Sequence, residues 1–209
     1  MGICYPPSLF SQIAGDICSK GYSVVENAFD QFSLQQLKSF VLEQEADKFR
    51  EAGIGRNEQH LVNQSIRRDK ILWIEGNSLQ GKMWLDWADQ LKSQINQNLF
   101  LGLNYFETHV AHYALNDFYR LHTDSFRGAN NRILTVILYL NENWKSEDGG
   151  ELVIYPSKHE KLKIAPRSGT LVTFLSEDFP HEVLPSKADR YSITGWFRRS
   201  NPQIQPHCV

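Results

Sequence analysis

Cysteine is scarce in this 209-residue sequence: Cys4, Cys18 and Cys208 are the only three, with no CxxC and no cysteine–histidine spacing. So sparse and odd a set excludes a disulfide framework and a thiolate zinc cluster, and reads as a reduced, intracellular protein. No stretch approaches the roughly 18 apolar residues that a membrane-spanning helix needs. Residues 1–6 lack a charged segment running into an apolar one, so secretion is not expected. Pro6 stands where a myristoylation signal calls for Ser or Thr. Charge of one sign is also missing. The 22 Lys and Arg against 24 Asp and Glu leave a net −2, so neither nucleic acid nor an anionic membrane is expected as the main partner. A cytoplasmic monomer is the expectation. No internal repeat or low-complexity linker divides the chain, and one domain over 1–209 is expected.

The remaining composition is ordinary in bulk, 41% hydrophobic and 22% charged, but generous in aromatics at 12% with five Trp. That suits aromatic-rich pockets and a core that stands without cross-links. Leu9, Ile13 and Ile17 recur at helical spacing and stop before Gly21, which predicts a short amphipathic helix. Residues 22–25 read as a strand. Ser33 with Gln36 reads as a capping box ahead of an apolar stripe at Leu34, Leu37 and Val41. Trp84, Trp87, Leu91 and Ile95 mark a further helix whose tryptophans face the core. From Asn104 the pattern changes to short strands, at 105–113, 132–140, 151–155, 161–164, 170–175, 181–184 and 190–198, parted by turns such as Asp148-Gly149-Gly150 and Phe179-Pro180. The near-continuous apolar run 133–140 predicts a strand buried on both faces. Supporting helices over 1–100 followed by strands over about 101–199 predict an α+β fold with one β sandwich or barrel.

Most of the seven histidines need no special role. His60 and His159 lie in polar, loop-like stretches, and His207 belongs to a tail. His109 and His112 look like a metal pair, but an odd separation on a strand sends them to opposite faces. His122 and His181 remain. In the triplet His122-Thr123-Asp124 a locally extended backbone places imidazole and carboxylate on one side; alone, such a triplet more often marks a surface loop. With His181 at the start of a later strand, two imidazoles and one carboxylate can occupy one face of a metal octahedron, as in non-haem Fe(II) oxygenases. Arg190 follows on a strand whose alternation puts Arg190, Ser192, Thr194 and Trp196 on one face. An inward Arg is expensive unless it meets an anion, and its fork suits a carboxylate, with Ser192 or Thr194 as an added donor. The bland alternative is an exposed Arg bonded to a surface Asp.

Taken together, His122-x-Asp124, His181 and Arg190-x-Ser192 resemble the Fe(II)/2-oxoglutarate-dependent dioxygenases, whose core is a double-stranded β-helix, or jelly roll. More narrowly, residues 66–76 (Ile-Arg-Arg-Asp-Lys-Ile-Leu-Trp-Ile-Glu-Gly) look like the hypoxia-sensing prolyl hydroxylases and their bacterial relatives. So do Tyr139-Leu140-Asn141, Gly149-Gly150-Glu151-Leu152, His181-Glu182-Val183 and Arg190-Tyr191-Ser192-Ile193-Thr194. The resemblance covers about residues 60–199. It implies Fe(II) on His122, Asp124 and His181, with 2-oxoglutarate and O2 as co-substrates and L-ascorbate (vitamin C) as a further cofactor. It implies that Arg190, helped by Tyr139 and Thr194, holds the distal carboxylate of 2-oxoglutarate, and that Tyr113 approaches its chelating end. Asp69, Trp73, Arg132 and Trp196 would line a protein-substrate groove, with 56–68 as a mobile finger loop. Tyr113 and Tyr139 as plain core tyrosines, and Trp73 as simple packing, are the alternatives.

The sequence departs from the animal enzymes in three places. The stretch between Tyr113 and His122 is one residue shorter, Leu138 stands where they carry an additional Tyr, and little chain follows Arg199 for a substrate-covering helix. The bacterial branch fits better, which makes a prolyl 4-hydroxylase acting on a protein loop the first expectation and elongation factor Tu the candidate target. The second is an oxygenase of a free amino acid or small metabolite. A nucleobase demethylase is disfavoured, since Trp196 holds the place of that group's further Arg. A third, non-enzymatic expectation is a β-barrel module that binds a metal or small anion without turnover. Oxygen sensing depends on apparent O2 affinity, which residue types do not display.

Overall fold

The computed structural model describes residues 2–44, 46–53, 63–125 and 132–199. Helix α1 (Leu9–Lys20) buries Leu9, Ile13, Ala14 and Ile17, and Gly21 ends it in the left-handed region (φ 79°), its N–H reaching the Ile17 carbonyl. Strand β1 (Tyr22–Val25) follows. Helix α2 (Gln31–Leu42) begins earlier than the expected capping box at Ser33 and Gln36. Asp30 is the true N-cap. Its backbone is extended and its carboxylate accepts from the Ser33 N–H at 2.8 Å. Ser33 therefore sits inside the first turn, buried, where its Oγ accepts from the Cys4 N–H. The stripe at Leu34, Leu37 and Val41 is buried as expected. Helix α3 (Leu79–Leu99) is capped by Ser78 and buries Trp84, Trp87, Leu91 and Ile95.

The rest is antiparallel sheet. Strands β2 (Arg50–Glu51), β3 (Lys70–Trp73), β4 (Tyr105–Tyr113), β5 (Tyr119–His122), β6 (Arg132–Tyr139), β7 (Leu152–Ser157), β8 (Glu160–Ile164), β9 (Leu171–Leu175), β10 (His181–Val183) and β11 (Arg190–Arg198) form two sheets. A seven-stranded sheet runs β1-β9-β6-β11-β4-β3-β2 and a four-stranded sheet runs β5-β10-β7-β8. This is the double-stranded β-helix with supporting helices, an α+β fold. Strands β4 and β11 match the expected limits, whereas β2, β3 and β5 were not foreseen as strands. The reason is position: β2 and β5 are sheet edges and β3 lies beside one, so solvent contact removes the apolar alternation that marks a strand. No helix among the described residues is long and apolar enough to cross a membrane.

Two cores result. The outer face of the large sheet, with Val110, Leu134, Val136, Leu138, Ile193 and Phe197, packs on α1, α2 and α3. Trp84 stacks on Trp87 at 4.7 Å, and its Nε1 donates to Thr108 Oγ1, tying α3 to β4. The inner core, with Ala111, Ile137, Leu152, Ile154, Val172 and Phe174, lies between the sheets. Strand β6 feeds both cores, so its continuous apolar run is buried on both faces as expected. Strand β11 divides chemistry from packing: Ile193 and Phe197 join the helix-side core, while Arg190, Ser192, Thr194 and Trp196 line the cavity between the sheets.

Gly195, on the helix side of β11, leaves no room for a side chain: a Cβ there would lie 2.5 Å from the Phe106 ring and 3.0 Å from the Glu107 carbonyl. Phe106 is itself stacked on Phe197 at 4.3 Å and cannot swing away freely. Gly195→Ala is therefore expected to destabilise the protein by about 1–3 kcal/mol through overpacking. Urea titration checks this as a lower midpoint at unchanged slope.

Candidate active site

The β5–β10 pairing sets His122 directly opposite His181. Two residues beyond, Asp124 turns into the space between them, with Oδ1 3.6 Å from His122 Nε2 and Oδ2 3.7 Å from His181 Nε2. The ligand atoms of all three lie within 4.8 Å of one another, and no other such group occurs among the described residues. Each imidazole is oriented by its far nitrogen: His122 Nδ1 meets the Arg120 carbonyl at 2.7 Å and His181 Nδ1 meets the Phe179 carbonyl at 3.0 Å. A carbonyl only accepts, so each Nδ1 carries a proton and each Nε2 is left facing Asp124. Thr135 Oγ1 donates to Asp124 Oδ2 at 2.8 Å and is itself held by Ser176, so the carboxylate is fixed as well. Burial opposes the carboxylate charge, yet the His181 and His122 imidazoles hold its pKa below the usual range. Burial pushes His181 down to about 4, against the pull of Asp124. Two imidazole nitrogens and one carboxylate converging on one point, with any proton on Nε2 open to displacement by a metal, are the chemistry of a divalent-cation site.

Arg190 occupies the same cavity, of about 450 Å³. It is 2% exposed, its Nε donates to the Gly150 carbonyl at 2.8 Å, and no carboxylate among the described residues pairs with it. The rings of Tyr113 and Tyr139 flank the guanidinium at 4.8 and 4.9 Å. Tyr139 Oη is sealed from solvent beside the Arg190 guanidinium with no acceptor for its proton, and burial raises its pKa against the pull of Arg190, so it stays a donor. Ser192, 1% exposed, and Thr194 line the same wall. The Gly149-Gly150 turn permits the close approach: both residues have positive φ, and a Cβ on Gly150 would lie 3.1 Å from Arg190 Cδ. A buried guanidinium beside an unpartnered tyrosine hydroxyl fits the distal carboxylate of a small dicarboxylate such as 2-oxoglutarate.

The four expected groove residues also line this cavity. Trp73 stands at its rim, 49% exposed. Arg132 sits over the Trp196 ring, its Cζ 3.6 Å from the centroid, and donates to Glu107 at 2.8 Å. Asp69 is buried, and both its oxygens are taken by Arg67 at 2.8 and 2.6 Å. Burial works against the Arg67 charge, and Asp69 more than offsets it. Tyr113 is placed beside Arg190, as described above. Of the expected finger loop 56–68, residues 56–62 lie outside the described residues, as do His60, His207 and Cys208. Its described end is bound to β5, with Arg68 N–H donating to the Phe118 carbonyl and Arg120 N–H to that of Ile66.

Sequence reasoning assigned no role to Arg67, Tyr119, Thr135 or His109, which all line the cavity. Tyr119 stacks on His122 at 3.5 Å, and Arg67 lies over Tyr119 at 4.3 Å. His109 and His112 do face opposite ways: His112 stacks on Tyr191 and meets Asp189 at 2.7 Å, while His109 turns into the cavity. The alternation that parted them also put His109 on the face of Tyr113, a signal present in the sequence.

The pH dependence of stability follows. Burial, aided by Arg67 and Arg132, pushes His109 down to about 3, below its ordinary 6.5, and His181 stands at about 4. Depressed imidazole pKa values contribute stability that is full above pH 6.5 and is lost as pH falls from there toward 4. The metal-free protein should lose on the order of 2–4 kcal/mol between pH 7 and pH 5. Urea unfolding at the two pH values measures it, and equal midpoints would contradict it.

Comparison with known proteins bears on this constellation. Residues 108–198 match the model of the 2OG-Fe(II) oxygenase superfamily. Human Egl nine homolog 1 is 35% identical over 144 residues, covering 65% of this chain and 34% of that protein, so the chain spans about a third of that relative's length. The crystal structure of a Pseudomonas putida prolyl-4-hydroxylase superposes with a TM-score of 0.84 at 37% identity, covering 93% of this chain and all of that one. A Trichoplax adhaerens prolyl hydroxylase, in complex with a hypoxia inducible factor oxygen degradation domain peptide fragment, superposes with a TM-score of 0.79 at 29% identity, covering 91% of this chain and 89% of that one.

Proposed function

Because the chain belongs to the 2OG-Fe(II) oxygenase superfamily and is homologous to the prolyl hydroxylases, we propose that it is an Fe(II)- and 2-oxoglutarate-dependent prolyl 4-hydroxylase acting on a proline in a protein loop. One observation carries the reading: Arg190, buried and without a carboxylate partner among the described residues, shares a cavity with the His122–Asp124–His181 cluster. Such a pair of features suits a cation and a dicarboxylate bound together, and a module that merely packs its core has no use for either.

In this reading His122, Asp124 and His181 hold Fe(II). Bound Fe(II), with 2-oxoglutarate and O2, supplies the oxidising power that places one oxygen atom on a prolyl carbon, with succinate and CO2 as the other products. The chain's own residues supply geometry. Arg190 and Tyr139, with Ser192 and Thr194 on the same wall, grip the far carboxylate of the co-substrate, and Tyr113 packs against the guanidinium on its other side. Thr135 and the two backbone carbonyls keep the three metal donors from rotating, so little reorganisation accompanies metal binding. Phe174, 4.8 Å from the His181 ring, and Tyr119 over His122 shield the imidazoles from water. Trp73, Arg132 and Trp196, with the Arg67–Asp69 pair behind them, form the wall against which a substrate loop would lie. Displacing the target carbon by about 1 Å would uncouple co-substrate consumption from hydroxylation.

The likeness to the Pseudomonas enzyme supports a bacterial type of target, for which elongation factor Tu is the candidate. The Trichoplax enzyme's peptide complex supports an extended peptide as the form in which the proline is presented. A cytoplasmic monomer belongs to the same reading, supported by the sparse cysteines and balanced charge.

Incubation with Fe(II), 2-oxoglutarate and elongation factor Tu is expected to add the mass of one oxygen atom to a single prolyl peptide, mapped by tandem mass spectrometry. Succinate formation with every proline unmodified would reject the prolyl reading. Arg190→Met should raise the KM for 2-oxoglutarate about 10- to 100-fold, the loss of a charge-assisted hydrogen bond of about 1.5–3 kcal/mol. Binding of 2-oxoglutarate to the Mn(II)-loaded variant should weaken in parallel, and an unchanged Kd would remove Arg190 from its role.

A further inference from the structure

His109 is the titratable cavity residue for which the mechanism above finds no use. It sits on β4 with Trp73 of β3 opposite on one side and Thr194 of β11 on the other. Its ring lies edge-on to Trp73, with centroids 5.2 Å apart, and beside Trp196 at 5.3 Å, so it forms the floor between the two tryptophans of the groove wall. The residue is 3% exposed, and its Nδ1 is sealed from solvent with no hydrogen-bond partner. An imidazole so placed brings a desolvation cost that an apolar residue of similar size would avoid. Packing between indoles does not explain it.

The ring's chemistry narrows what it can do. With Arg67 and Arg132 nearby and almost no solvent, it is neutral and carries one N–H. A buried N–H without an acceptor is rarer and more costly than a buried lone pair without a donor. The proton therefore belongs on Nε2, leaving the sealed Nδ1 as a bare lone pair. A prolyl residue has no backbone N–H, so a peptide centred on proline offers its groove carbonyl oxygens. A fixed neutral donor is the complement of such a segment.

We propose that His109 reads the substrate backbone, its Nε2–H donating to a carbonyl oxygen beside the target proline and so setting how tightly and in which register the segment lies. This rests on the prolyl-hydroxylase reading. His109 is thus a specificity-determining residue, distinct from the groups that hold metal and co-substrate.

The test uses the full chain with Fe(II), 2-oxoglutarate and proline peptides tiled over elongation factor Tu, and compares wild type with His109→Leu and His109→Gln. The assignment expects His109→Leu to raise the peptide KM about tenfold with kcat within about threefold, and His109→Gln, which keeps a side-chain N–H, to recover a KM within about threefold of wild type. Equal KM for wild type and His109→Leu overturns it, and so does equal impairment of the Leu and Gln variants, which would mark a role in shape alone. If His109→Leu does not fold by circular dichroism, His109→Phe takes its place as the donor-free ring. A wild-type enzyme that oxidises none of the peptides rejects the prolyl reading itself, and this assignment with it. That outcome is seen before any variant is compared.

Discussion

A guanidinium held between two sheets without a protein anion is the constraint around which this molecule is organised. Arg190 is buried to 2% exposure, and its protein contacts are the Gly150 carbonyl and two tyrosine faces. These soften the loss of hydration without cancelling the charge. Arg67 is spent on Asp69 and Arg132 on Glu107. Asp124, the other buried charge on this wall, lies between the His122 and His181 rings. One end of the cavity therefore favours an anion and the other a cation. A chelated dicarboxylate answers both demands at once.

Holding that arrangement is the work of strand alternation. On β11 one face carries Arg190, Ser192, Thr194 and Trp196 into the cavity, while Ile193 and Phe197 on the other face join the helix-side core. Strand β4 does the same with His109, Ala111 and Tyr113 inward and Val110 outward. The helices thus act on the chemistry through the backbones of β4, β6 and β11, with Trp84, Phe106 and Phe197 packed against β4 and β11. Functional groups carried on strands of a packed sheet are held more closely than groups on loops. The candidate metal donors use the same device across the other sheet, where antiparallel pairing puts His122 opposite His181.

Much of this was legible from residue order. The alternation in 105–113 and 190–198 marked β4 and β11 to the residue, because each has one face in the helix-side core and the other on the inner wall of the sandwich. The candidate cluster of His122, Asp124 and His181 and the inward Arg190 stood out in the sequence because few chemistries use two imidazoles, a carboxylate and an inward Arg on a β scaffold. Less visible were the short strands β2, β3 and β5, whose solvent contact blurs periodicity, and the start of α2, where Asp30 outcompetes Ser33 as cap. The supporting roles of Thr135, Tyr119 and Arg67 were hidden because each is defined by a partner distant in sequence or across a sheet.

The sequence by itself determined that a helical half precedes a β sandwich, that three cysteines are too few for a disulfide framework or a thiolate cluster, and which four side chains are the candidates for metal and anion. Periodicity and residue chemistry are local properties, and they suffice for that much. Only the tertiary structure decided that Arg190 meets no carboxylate among the described residues, that Asp69 is already claimed by Arg67, and that His109 turns a polar ring into the groove floor. Whether a polar group is spent or still available depends on what the packing of other strands brings within hydrogen-bond reach, and that relation does not exist until the sheets close.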